Sequence, residues 1–286
     1  MNVMSSGRCL TVAVAIALSA SACARTPAPE QKGNSNMTQP MEQGRTINGH
    51  TYTDAPVEVK LGPNTFRIPA NYFDNQIGPF GEGLSLKLEW PAMTPTAPGA
   101  RAAPRTNDFR KEISVLVDYI DRLPIEGAMR RRVTNDGHTD EGTLERRDPA
   151  ERLELRVAQP ERMGLIPYTI DQGLRAAYAK DYQARYDRPL TRNLAFEPDW
   201  YVARSSDGEI STFIKCDNAD HRADGVVLDR DQVVSQAGVI AAGCTHYMVD
   251  LQNSLSISLS YKRAFLKDWK RMETAVRDVL ARYRVK

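Results

Sequence analysis

Four histidines are the first residues in this sequence that could do acid–base or metal chemistry, and they are scattered singly along the chain. They are His50, His138, His221 and His246. An enzyme would show a nucleophile beside a base, a paired acid and base, or a set of metal ligands. The sequence contains no G-x-S-x-G, S-x-x-K or H-E-x-x-H motif. We therefore predict no catalytic residues, no cofactor and no enzymatic activity.

The best candidate for a metal site is the segment Asp217–Gly225, in which acidic residues precede a glycine as they do in a calcium-binding loop. Arg222 stands where an EF-hand needs an oxygen ligand, and no helical pattern flanks the segment. We predict a polar loop here and no metal site.

Cys23 is the residue whose chemistry the sequence indicates best. It follows a short apolar run, Cys9–Ala17, and small residues, so the N-terminus has the form of a secretory signal peptide. The run is shorter than the roughly 20 apolar residues of a spanning helix. Ala20-Ser21-Ala22 fits ordinary signal-peptidase cleavage and also resembles a bacterial lipobox, in which Cys23 is acylated. The polar, proline-rich stretch Ala24–Gln43 cannot bury a core and favours a lipidated Cys23 on a flexible tether.

These features predict the cellular location. We expect a periplasmic protein held by its lipid in the inner leaflet of the outer membrane, because Ala24 rather than Asp follows the cysteine.

Lys and Arg number 38 against 36 Asp and Glu, so the basic excess of a nucleic-acid-binding protein is missing.

Two cysteines remain once Cys9 is removed and Cys23 is acylated, namely Cys216 and Cys244. In an oxidising compartment, an even number of remaining cysteines is typical of disulfide bonding. The alternatives are two buried thiols, or a metal pair with a nearby histidine. A bridge between these positions would stabilise the fold by roughly 3–4 kcal/mol in the chain-entropy treatment.

The hydrophobic pattern predicts a strand-dominated fold. Apolar and polar residues alternate strictly in several segments, which is typical of half-buried strands. These segments are Leu84–Trp90, Ile113–Tyr119, Leu153–Val157, Thr245–Leu251 and Leu255–Tyr261. Trp200–Arg204 and Ile210–Cys216 flank Asp207-Gly208 as a hairpin. Leu174–Tyr186 could form a short helix, and Phe265–Tyr283 has clear helical spacing.

We predict an α+β fold in which antiparallel sheets form two lobes and the amphipathic C-terminal helix packs on the last sheet. The expected organisation is a signal peptide over residues 1–22, the lipidated cysteine and tether over 23–43, a β-rich lobe over 44–165, and an α+β lobe with the disulfide over 166–286.

The last seventy residues are the most distinctive part of the chain. Cys216 ends a strand, Cys244-Thr245-His246-Tyr247 begins another, a serine-alternating strand ends at Tyr261-Lys262-Arg263, and a helix with Lys267-Asp268-Trp269 and Met272 follows. This arrangement resembles the C-terminal domain of periplasmic immunity proteins encoded beside antibacterial effectors of type VI secretion systems. Phe66–Phe73 and Leu88–Pro91 also resemble N-terminal segments of such lipoproteins.

The resemblance implies a protein that binds a secreted effector, a lipase or phospholipase, and neutralises it by occluding its active site. The family has no shared catalytic residues to carry over. The alternative hypothesis is a structural or assembly lipoprotein of the bacterial envelope, which would associate with peptidoglycan or an envelope complex.

Two loops rich in proline and charge, Pro91–Arg110 and Arg130–Arg152, are long for a compact domain, and such loops are often functional. Arginine is also favoured at interface hot spots. The predicted partner contacts are Arg101, Arg105, Arg130, Arg131 and Arg132. If these loops do not bind, the serine-rich side of Ser254–Ser260 is the next candidate surface.

Overall fold

The computed structural model describes residues 43–285, and this part of the chain contains fourteen strands and three α-helices. The strands are β1 (Gln43–Ile47), β2 (His50–Thr53), β3 (Pro56–Leu61), β4 (Asn64–Pro69), β5 (Leu84–Glu89), β6 (Glu112–Tyr119), β7 (Arg156–Ala158), β8 (Ile166–Ile170), β9 (Asp199–Arg204), β10 (Ile210–Cys216), β11 (Val226–Asp229), β12 (Gln232–Ser235), β13 (Gly243–Asp250) and β14 (Leu255–Lys262). The helices are α1 (Ala128–Arg132), α2 (Gln172–Tyr186) and α3 (Trp269–Tyr283). The predicted signal peptide and Cys23 lie outside the described residues, so the lipid anchor stays a prediction.

An antiparallel sheet of eight strands forms the centre of the molecule, in the order β5-β6-β14-β13-β10-β9-β8-β7. The pairs β1–β2, β3–β4 and β11–β12 each form a separate two-stranded sheet. Strands from both sides of residue 165 pair in the central sheet, and the described residues belong to one compact unit. The two predicted lobes therefore share one sheet.

The C-terminal helix α3 packs on the central sheet, which confirms the predicted α+β class. Its apolar residues recur at helical spacing and are buried with the inward side chains of β14. Those residues of α3 are Trp269, Met272, Val276, Val279 and Leu280. Full burial of one large apolar side chain contributes roughly 1.5–3 kcal/mol, so this helix is a main source of stability. The hairpin β3–β4 covers the same core.

A smaller cluster lies at one end of the other side of the sheet. There, Met129 and Val133 from the region of α1 pack with Leu153 against Trp200 and Phe213. Most of the other residues on that side are polar, and they are described below.

The sequence pattern located most of the elements. The strand predicted at Leu153–Val157 is wrong in its first half, because a 3-10 turn occupies Leu153–Leu155 and pairing starts at Arg156. The Leu153 amide bonds to the carbonyl of Val133 at 2.9 Å, which takes it out of the sheet ladder. Helix α2 confirms the helix predicted near Leu174. No helix within residues 43–285 has the length and apolarity required to cross a bilayer.

Candidate partner-binding face

The side of the central sheet opposite α3 is an open polar surface. Alternate residues of β14 point away from the core, and the strand register places similar residues of β6 and β13 beside them. Their side chains are half-buried or exposed. We call this surface the serine face, and its central residues are Ser114, Leu116, Thr245, Tyr247, Ser256, Ser258 and Ser260. Antiparallel sheets commonly leave one side to water, and this one displays hydroxyl groups in register.

A charge network borders the serine face at the start of β6. Glu112 accepts hydrogen bonds from Arg105 and from Lys87, the second at 3.0 Å. Lys87 also lies 3.2 Å from the carboxylate of Asp74. The side-chain amide of Asn107 also donates a hydrogen bond to Glu112, at 2.8 Å. The predicted contact Arg105 therefore does lie beside this surface, where a buried carboxylate holds it in place.

The arginines of α1 border the opposite end of the serine face. The guanidinium of Arg132 lies over the ring of Tyr247, 4.6 Å from its centroid, a cation–π geometry. Arg131 donates to the carbonyl of Pro124 at 2.9 Å. Both arginines line a groove of about 720 Å³ together with Asp118. Burial raises the pKa of Asp118, and the charge of Arg132 opposes that rise.

The two borders are six residues apart along β6, from Glu112 to Asp118, which corresponds to about 20 Å of strand. Arg130 is exposed and lines a separate groove of about 430 Å³ with Arg152 and Asp136. The structure thus places Arg105 and Arg132 at opposite ends of one surface, although the sequence predicted them as members of two separate loops.

Arg101 has a different position. Its guanidinium donates to the carbonyls of Asn71 at 3.0 Å and Phe73, and to Thr96 Oγ1 at 2.8 Å. Burial lowers the pKa of Arg101 to about 10. These bonds fasten the loop that follows β5 to the segment before it, so Arg101 serves its own loop rather than the open surface.

Two lysines on the serine face were missing from the sequence prediction. Lys215 of β10 lies 4.7 Å from the ring centroid of Trp200, and Lys262 ends β14. Both are half-buried, and burial lowers the pKa of each ammonium group. The strict alternation along β14 could have indicated Lys262, because it continues the outward series of serines.

The disulfide between Cys216 and Cys244 is present, which confirms that prediction. It joins the end of β10 to the start of β13, where the two residues are register partners. The acidic loop beyond it is held by cations: Arg222 pairs with Asp217 at 3.2 Å, and Arg263 Nε pairs with Asp224 at 2.7 Å. Arg263 also donates to the carbonyls of Asp217 and Arg222, so this loop is an anchored polar segment as expected.

Among the four histidines, His246 makes the most side-chain contacts in the described structure. Its Nε2 lies 2.8 Å from Glu273 Oε1, which also accepts a bond of 2.7 Å from the hydroxyl of Thr212. The imidazole is fully buried between the sheet and α3. Glu273 itself is partly exposed, and these bonds tie α3 to β10 and β13.

Comparison with known proteins identifies the class. No protein-family model and no curated protein matches this sequence. A solved structure does match: Smlt3025, an immunity protein of the Stenotrophomonas maltophilia type IV secretion system. The two share 62% sequence identity with a TM-score of 0.84, over 86% of this chain and 99% of that one.

The chain belongs to the family of this immunity protein. The resemblance seen in the sequence is confirmed at the level of immunity proteins. The secretion system differs from the expectation, because the relative belongs to a type IV system and the sequence resemblance pointed to type VI.

Proposed function

We propose that this protein is an immunity protein that binds a secreted antibacterial effector and neutralises it by stoichiometric occlusion. The observation that carries the proposal is the 62% identity to an immunity protein over nearly the whole length of that relative. Because the relative belongs to a type IV secretion system, delivery of the effector by a type IV system is the better hypothesis for this chain. The lipase or phospholipase activity of the effector rests on the sequence resemblance alone.

The serine face is the surface we assign to effector binding. It is open, rigid because it is built on a central sheet, and bordered by arginines at both ends. Binding sites that sit on a fixed scaffold lose little conformational entropy on association, which favours a tight complex. Arg105 and the α1 residues Arg131 and Arg132 would then form the edges of the interface.

The lipid on Cys23 is part of the same proposal. An effector that acts in the periplasm has to be bound in that compartment. A membrane anchor would raise the concentration of the immunity protein at the membrane surface without any new contact. The serine face would then be presented in the periplasm on the tether that precedes β1.

The test is protection of a susceptible strain. Recipient cells that produce the mature chain should survive co-culture with a donor whose type IV system delivers the effector encoded beside it, and the effector should co-purify with the chain. Recovery of peptidoglycan or an envelope complex instead of the effector, with no gain in survival, would favour the alternative of an assembly lipoprotein.

A further inference from the structure

Three cations lie along strand β13 on the serine face, on both sides of that strand, and they come from three different elements. Lys262 of β14 is the register partner of Gly243, and Lys215 of β10 is the register partner of Thr245. Arg132 of α1 lies over the ring of Tyr247. We call Lys262, Lys215 and Arg132 the cation ladder.

The spacing of the ladder follows from the strand that it straddles. Gly243, Thr245 and Tyr247 are alternate residues of β13 on its open side, so neighbouring positions are about 7 Å apart. The same distance separates alternate side chains of any extended segment laid along β13. Ser258 and Ser260 lie on β14 beside β13, on the same strand as Lys262 and opposite Tyr247 and Thr245.

The carboxylates near the ladder are not in direct contact with its charged groups in the part of the chain that the structure describes. Within residues 43–285, none of its three members takes part in an ion pair or a hydrogen bond through its charged group. Two acidic residues of β6 lie on this side: Glu112 is already bound by Lys87 and Arg105, and Asp118 lines the groove beside Arg132. The charges that reach the ladder over longer distances are Asp108 and Arg110 at Lys262, Glu151 and Arg156 at Lys215, and Asp118 at Arg132.

Partial burial disfavours the charged forms of Lys215 and Lys262 in the free protein, whereas Arg132 is exposed. Burial is the main cause that lowers the pKa of Lys215; the charge of Glu151 opposes it, and the charges of Arg156 and Arg132 add to the lowering. Half-buried cations near one another are stabilised when an anion binds between them. The surface is therefore complementary to a segment that carries negative charge.

We infer that the cation ladder receives an extended segment of the effector whose acidic side chains occupy alternate positions and lie over Lys262, Lys215 and Arg132. This inference rests on the proposed function and adds the chemistry and conformation of the partner segment. The serine and threonine hydroxyls would accept or donate bonds to its polar groups between the acidic residues.

The experiment uses the folded mature chain and synthetic peptides in place of the effector. A peptide TETETET presents glutamates on alternate residues, TTEEETT has the same composition and charge with a different spacing, and TKTKTKT reverses the charge. Binding is followed by the amide NMR shifts of Thr245, Ser258 and Ser260. We expect TETETET to bind with shifts confined to the serine face, TTEEETT to bind more weakly, and TKTKTKT not to bind.

A matched pair of variants tests the ladder itself. The triple variant Lys215→Gln, Lys262→Gln and Arg132→Gln should weaken TETETET binding by about tenfold, as expected for the loss of three modest ion pairs. The control replaces three exposed cations outside the face, Lys60, Lys267 and Arg282, by Gln and removes the same net charge. Equal weakening in both variants, or equal binding of TETETET and TTEEETT, would overturn the inference, because only net charge would then matter.

A survival assay separates this inference from the proposed function. If the triple variant loses peptide binding but protects cells as well as the wild type, the immunity role stands and the ladder is not the effector contact. If neither the wild type nor the variants protect cells, the proposed function fails, whatever the peptides show.

Discussion

The disulfide closes an excursion from the central sheet, and its removal should have a calculable effect. Residues between Cys216 and Cys244 leave the sheet after β10, form the hairpin β11–β12, and return at β13. Arg263 fastens the base of this excursion independently, with bonds of 2.6–2.7 Å to Asp224 and to two backbone carbonyls. The double variant Cys216→Ala, Cys244→Ala should therefore keep its fold and lose stability.

The size of the loss follows from the length of the loop. The cysteines are 28 positions apart, and the chain-entropy relation gives about 3.5 kcal/mol for a loop of that length. For a domain of this size each kcal/mol shifts the melting temperature by roughly 2–4 °C, so the midpoint should fall by about 7–14 °C. The cause is the greater conformational freedom of the unfolded chain, since Arg263 keeps the folded excursion in place.

Thermal unfolding followed by circular dichroism measures this effect in the oxidised wild type, the reduced wild type and the double variant. Reduced wild type and double variant should agree, because both lack the bond. The spectra below the transition should superimpose. A loss below about 1 kcal/mol would refute the reasoning, because the unfolded chain would then gain much less freedom than a closed loop of this length implies. Collapse of the folded spectrum would show that Arg263 does not hold the excursion alone.

Three further predictions concern single side chains. Glu273→Ala removes the acceptor shared by His246 and Thr212 and should lower the free energy of unfolding in urea by about 2–4 kcal/mol. Glu273→Gln should lower it by less. Equal losses of unfolding free energy in the two variants would mean that the carboxylate is not the shared acceptor. Arg101→Ala should lower stability by about 1–3 kcal/mol and leave effector binding in a pull-down unchanged, since its guanidinium is bound to Thr96 and to carbonyls of the segment before β5. Weaker binding at full stability would return Arg101 to the interface. Cys23→Ser should abolish metabolic labelling with a fatty-acid analogue, and equal labelling of both proteins would contradict lipidation.

Strict alternation of apolar and polar residues predicted strands well where one side is core and the other is open. Leu255–Tyr261 is such a case, because a slip of one residue would turn every leucine and isoleucine towards water. The hairpin β11–β12 was missed for the opposite reason. Val226 and Val233 are buried while Val227 and Val234, which are register partners, are about half exposed, so adjacent valines hide the period of two.

The binding face was less accessible to sequence reasoning, because its charges come together only through strand pairing. Lys215 and Lys262 are far apart in the chain, and the pairing of β10, β13 and β14 brings them to the two sides of β13 on the same face of the sheet. Arg101 and Arg105 look alike in sequence, yet the guanidinium of Arg101 is bound by carbonyls of the segment before β5, whereas Arg105 lies beside the serine face. The residue type identified these arginines as candidates, and only their tertiary contacts show which of them reach the surface.

Blocking the serine face tests the central claim most directly. Ser258→Trp places a large side chain at the middle of the face on a strand that favours aromatic residues, and Ser206→Trp places the same group on an exposed turn elsewhere. Effector capture is measured by co-purification, with melting temperature as the check on folding. The account predicts that Ser258→Trp folds and loses the effector while Ser206→Trp retains it. Full capture by a folded Ser258→Trp variant would contradict the assignment of the serine face as the binding surface.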